Sequence, residues 1–99
     1  MKLWIDDLRP APEGWQWARS VNEAKEMLLD AENRGILVEL MDLDHDAGDY
    51  AGQGGDYIRL LDWLEETGRS YPLRIHSFNP VGRENMLRIA EKNRWILVK

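Results

Sequence analysis

The sequence predicts an α/β domain built on a mainly parallel sheet, and three observations predict it. Short strand-like stretches are separated by helical patterns of roughly 12–15 residues, the spacing of crossover connections. A capping box, Ser20 with Glu23 three residues on, opens a helix directly after the second such stretch. Acidic and histidine-bearing clusters follow the strand-like stretches, where open parallel sheets bind ligands.

Each element has its own signal. Lys2–Asp6 alternates and ends in an acidic pair, reading as a first strand. Leu8–Gly14 carries Pro10 and Pro12 and should run extended. Trp15–Ala18 is a second short strand. The helix capped by Ser20 shows Val21, Ala24, Leu28 and Ala31 as its apolar stripe and stops at Gly35. Ile36–Asp44 reads as a third strand, and the glycine-rich segment Asp46–Gly55 as a loop. Asp56–Thr67 follows as a helix with Tyr57, Leu61 and Leu64 on one face, ended by Gly68. Leu73–Ser77 is a fourth strand, Asn79-Pro80 opens a third helix, and Trp95–Val98 is a fifth strand.

Strands buried on both faces of a parallel sheet read as unbroken apolar runs. Here Leu73 and Ile75 alternate with Arg74 and His76, and Leu3 and Ile5 with Lys2 and Trp4. Three helices then cover one face, and the other is partly bare, screened by tryptophans and the proline-rich segment. An apolar patch left on it would suit a weak homodimer or a docked partner.

Composition narrows the function. The 99 residues carry 43 % hydrophobic and 31 % charged side chains, ordinary for one globular domain spanning residues 1–99. No apolar run approaches the about 18 residues of a membrane span, and acid enters too early, at Asp6, for a signal peptide. Without cysteine, any metal must be held by oxygen or imidazole. These absences point to the cytoplasm. A net charge of −5 argues against general nucleic-acid binding, which needs a basic footprint.

Parallel strands would bring Asp6-Asp7, Asp44-His45-Asp46, His76-Ser77 and Asn79–Arg83 to one rim. Carboxylates crowded together need a cation or an arginine, and hard oxygen ligands suit Mg²⁺, Mn²⁺ or Ca²⁺. Neutralising Asp44 should therefore relieve repulsion. An isolated Asp-Asp is otherwise a turn and cap. His45 and His76, beside Asp46 and Ser77, suit general acid–base work, although a single histidine at a strand end is more often structural. Asn79, Gly82 and Arg83 make an anion site at a helix start, or simply a well-capped helix. Asp42 sits mid-strand and is expected to be solvated on the bare face. The tryptophans at 4, 15, 17, 63 and 95 read as core or face cover.

Asp6-Asp7, Ala18-Arg19-Ser20 leading into Asn22-Glu23-Ala24, and Leu43-Asp44 resemble the receiver domain of two-component signalling. Ser77 stands where that family has its hydroxyl residue, and Lys99 matches its lysine. A divergent branch, the cyclic-phosphate processing receiver domain, is more similar. Its hallmarks are Ile5-Asp6-Asp7-Leu8-Arg9-Pro10, Leu43-Asp44-His45-Asp46-Ala47-Gly48, Trp63-Leu64 and His76-Ser77-Phe78-Asn79-Pro80-Val81-Gly82-Arg83-Glu84-Asn85-Met86. The resemblance implies a flavodoxin-like, five-stranded sheet of order 2-1-3-4-5, with Asp6, Asp7 and Asp44 around Mg²⁺ or Mn²⁺ and Asp44 at the phospho-acceptor position. It also implies a cyclic-phosphate nucleotide or RNA end as ligand. Two departures stand out: the proline-rich segment replaces the helix after the first strand, and Lys99 leaves no room for one after the fifth.

Three functions follow as expectations. The first is a metal-dependent phosphoesterase-like domain using Asp44, His45, His76 and Ser77, with Arg9, Asp46 and Lys99 in support. The second is a phospho-accepting switch at Asp44. The third is a non-catalytic binding module.

Overall fold

The computed structural model describes all 99 residues. In chain order the elements are β1 (Lys2–Ile5), β2 (Gln16–Ala18), α1 (Val21–Asn33), β3 (Leu40–Leu43), α2 (Ile58–Thr67), β4 (Leu73–Ile75) and α3 (Pro80–Lys92). A short 3-10 turn, Gly48–Tyr50, lies between β3 and α2. The strands form one parallel sheet of order β2-β1-β3-β4.

The sheet has four strands rather than the five expected. The tail makes only a single bridge, Leu73 with Leu97. Leu73 uses both its outward groups there, donating to the Ile96 carbonyl at 2.9 Å and accepting from Val98 at 2.8 Å. The next outward carbonyl on that edge, Ile75, accepts from the Arg83 guanidinium at 2.7 Å instead. A side chain thus takes the place of the next rung.

β3 is also shorter than the apolar run Ile36–Asp44. Pairing starts at Lys2 opposite Leu40, so residues before Glu39 have no strand beside them. Leu37 is 75 % exposed.

Strand alternation sorts the side chains. Leu3, Ile5, Met41, Leu43, Leu73 and Ile75 share one core with Val21, Ala24 and Leu28 of α1, Leu60, Leu61 and Leu64 of α2, and Met86 and Ala90 of α3. All three helices therefore pack on one face. The other face carries Trp4, Trp17, Asp42 and Arg74. It is covered from within: Trp15 meets Trp4 edge-on at 6.1 Å, and the Trp4 indole N–H donates to the Arg9 carbonyl at 2.8 Å. None of the highly exposed apolar side chains belongs to a strand. No helix is long and apolar enough to cross a membrane.

Candidate functional site

β1 leads directly into Asp6, which is 1 % exposed. Its Oδ1 accepts from the backbone amides of Leu8 at 2.9 Å and Arg9 at 2.8 Å, an Asx turn that reverses the chain before Pro10. This local bond, with the prolines, is why no helix follows β1. The turn also aims Arg9 back over the rim. Its Nε donates to Asp6 Oδ2 at 3.0 Å, and its Nη2 to Asp44 Oδ2 at 3.2 Å and to the His76 carbonyl at 3.3 Å. One guanidinium ties together the ends of β1, β3 and β4. The Phe78 ring lies 5.1 Å from it.

Behind Arg9 sits His76. Its Nδ1 meets Asp42 Oδ1 at 2.6 Å, its Nε2 meets Asp6 Oδ2 at 2.9 Å, and its ring stacks on Trp4 with centroids 4.0 Å apart. Carboxylate oxygens on both ring nitrogens favour the imidazolium, the form in which both donate. Burial pulls its pKa down, but the bonds to Asp42 and Asp6 outweigh it and hold the pKa above the usual 6.5. Burial likewise opposes ionisation of Asp6. The two amides, His76 and Arg9 prevail and keep its pKa below the usual value.

Asp42 corrects an expectation. It is not solvated but 1 % exposed, and its other oxygen accepts from Arg74 Nε at 2.7 Å. The register places Asp42 beside Arg74 on the second face, and His76 two residues further on reaches the same carboxylate. The sequence did contain that signal, as an acid in one strand and Arg-x-His in the next. Its pairing became readable only once the register was known.

Asp7 stands apart. Its carboxylate accepts from no other residue, and its pKa is raised by burial and by the charges of Asp6, Asp44 and Asp49. Gly48, at φ +53°, lets the loop after β3 pass over it, and a Cβ there would collide with the carboxylate.

Asp44 Oδ1 accepts from the His45 amide at 2.7 Å. His45 Nδ1 meets Asp46 Oδ1 at 2.8 Å, while no protein group engages its Nε2. The ring packs on Gly82, where a Cβ would collide with it.

One metal-like grouping is Asp6, Asp44 and His76, with ligand atoms within 4.8 Å of one another; His45, Asp46 and Asp56 form another. In the first, His76 has both nitrogens engaged and Asp6 accepts two bonds on each oxygen, whereas Asp44 accepts one on each. Asp7 and Asp44 are the carboxylates with capacity for a cation. Asp7 in particular has an uncompensated charge and no partner residue, and carboxylate oxygens of this kind suit a hard divalent ion.

A family model described as the cyclic-phosphate processing receiver domain matches residues 1–92. The chain belongs to that family. Searches of curated proteins and of solved structures return no significant match.

Within this receiver domain, other expected residues lie off the acidic cluster. The Ser77 hydroxyl accepts from the Asn79 amide at 3.0 Å, serving the turn into α3. Asn79 caps α3 through the Gly82 amide at 3.0 Å, and its side-chain amide lies 3.4 Å from both Asp46 oxygens. Arg83 is held at the outer edge by Ile75. With Arg74, Leu87 and Lys99 it lines a cavity of about 430 Å³ there. The rim unites Asp6, Asp7, Arg9, Asp44 and His76, with His45 and Asp46 adjoining through Asp44.

Proposed function

We propose that this receiver domain binds a cyclic phosphate ester, on a nucleotide or an RNA end, at the carboxyl rim and opens it by hydrolysis. The observation that carries the reading is the His45–Asp46 pair beside the Asp44–Arg9 cluster. It sets a histidine with one oriented and one unengaged nitrogen directly after Asp44, the carboxylate that Arg9 engages. The orientation is useful because a carboxylate on Nδ1 leaves Nε2 to give or take a proton. In the reaction, water adds to phosphorus and one of the two ring P–O bonds breaks. The released sugar oxygen takes up a proton, and the product is a phosphomonoester. Arg9 keeps Nη1 to grip a phosphoryl oxygen. Asp7 and Asp44 would hold Mg²⁺ or Mn²⁺, which when bound supplies positive charge against the phosphoryl group. His76 does not act as a proton carrier in this scheme, because both its nitrogens are committed. It positions Asp6, and through Asp6, Arg9. Phe78, 89 % exposed beside Arg9, offers the base an apolar face.

A phospho-accepting role for Asp44 has less support. Its Oδ2 is engaged by Arg9, the Ser77 hydroxyl is engaged by the Asn79 amide, and Lys99 lines the cavity with Arg83. The test is ³¹P NMR of 2′,3′-cyclic AMP incubated with the protein and Mg²⁺ or Mn²⁺. Conversion to a monoester, lost in His45→Ala, supports hydrolysis. Binding without conversion leaves a binding module, and a mass gain of one phosphate from acetyl phosphate favours the switch.

A further inference from the structure

We infer that Arg9 is the resident counter-ion of the rim and competes with the divalent cation for Asp44. The inference rests on the metal reading above and concerns how the cation gains its site. Asp44 has two oxygens. Oδ1 is held by the His45 amide at 2.7 Å, and Oδ2 by Arg9 Nη2 at 3.2 Å. A cation bound by Asp7 and Asp44 draws on the same carboxylate charge that Arg9 now neutralises. Two positive groups brought to one carboxylate repel each other, so each weakens the other's hold.

The geometry allows Arg9 to give way without leaving the rim. Its Nε bond to Asp6 is independent of Asp44, and three further donors fix the Asp6 carboxylate: the Leu8 and Arg9 amides and His76 Nε2. The planar guanidinium turns as a unit about the Cδ–Nε bond, which takes Nη2 off both Asp44 and the His76 carbonyl while Nε stays beside Asp6, and the side chain is 41 % exposed, with Phe78 against it. The released end can then turn toward a bound phosphate. Arg9 is thus a positioning residue with two settings: on Asp44 when no cation is present, and free of it when one is.

A supporting role for Arg9 would have the opposite sign. If the guanidinium merely oriented Asp44 as a ligand, its loss would weaken cation binding. The test is calorimetric titration of the whole chain with Mn²⁺ alone and with Mg²⁺ alone, for wild type, Arg9→Gln and Arg9→Lys. Tryptophan fluorescence gives a second readout, since the Trp17 indole donates to the Asp6 carbonyl at 2.8 Å. Competition predicts that Arg9→Gln binds either ion about tenfold more tightly than wild type. Arg9→Lys, which keeps the charge without the fork, should fall between. Should Arg9→Gln fail to fold without metal, millimolar Mn²⁺ should restore the fold by replacing the lost charge, and failure to do so overturns the inference. Equal or weaker binding by a folded Arg9→Gln also overturns it while leaving the metal site standing. If neither protein binds a divalent ion, the metal reading falls together with the competition.

Discussion

Asp42 and Asp7 are two carboxylates in opposite electrostatic situations. Asp42 is buried between Arg74 and His76, so removing its charge strands two cations. Breaking a buried pair costs about 3–5 kcal/mol. Here the loss is nearer 2–3 kcal/mol, because His76 can shed its proton and Arg74 reaches water. Chemical denaturation of Asp42→Asn should show that loss. Asp7 has only like charges for company, and its raised pKa means that ionisation costs the fold. Asp7→Asn should therefore stabilise the metal-free protein by up to about 1 kcal/mol and abolish any stabilisation by Mg²⁺, both read from thermal melts. A destabilised Asp7→Asn would mean that the carboxylate has a partner. The relief expected at Asp44 moves to Asp7 for a plain reason: Arg9 already neutralises Asp44.

α3 shows how an element serves the site. Asn79 caps it through the Gly82 amide, and Gly82 sits in its first turn against the His45 ring. Asn79→Ala should cost about 1 kcal/mol, the ordinary worth of a cap. Gly82→Ala is the sharper test. Glycine to alanine within a helix usually stabilises by roughly 0.5–1 kcal/mol, since alanine loses less freedom. At Gly82 the sign should reverse, because the new methyl collides with His45. Melts should show destabilisation, and the His45 ring resonances should shift. A Gly82→Ala variant more stable than wild type, with His45 unmoved, would remove the packing argument.

The whole molecule should record its rim in the pH dependence of stability. His76 has a folded pKa above its unfolded 6.5, so between the two values the folded state binds more protons. Its contribution is complete below 6.5 and is lost as pH rises through the folded value. Asp6 works the other way. Its folded pKa lies below 3.8, so its contribution is present above 3.8 and is lost as pH falls through the folded value. The melting temperature should decline as pH rises above 6.5, and His76→Gln, itself less stable, should flatten that decline. An unchanged alkaline slope in the variant would show that some other group titrates there.

By itself the sequence determined the crossover plan, the three helices with their caps, the one-sided sheet and the rim clusters. These rest on local signals: periodicity, capping residues, prolines and the alternation of Leu-Arg-Ile-His. It also pointed to the family, which the match over residues 1–92 shows. Strand count escaped it because Trp95–Val98 has strand character, while pairing depends on what occupies the edge of β4, and there Arg83 does. The partners of the charges escaped it for a related reason. From the sequence, Asp42 reads as solvated, His76 as free to move protons, and Arg83 as the phosphate grip. The register of β3 against β4 buries Asp42 and sets His76 on the same carboxylate, and the edge of β4 holds Arg83 at the Ile75 carbonyl. Local sequence sets backbone geometry, whereas a charge's role depends on neighbours that only the folded chain brings within a few ångströms.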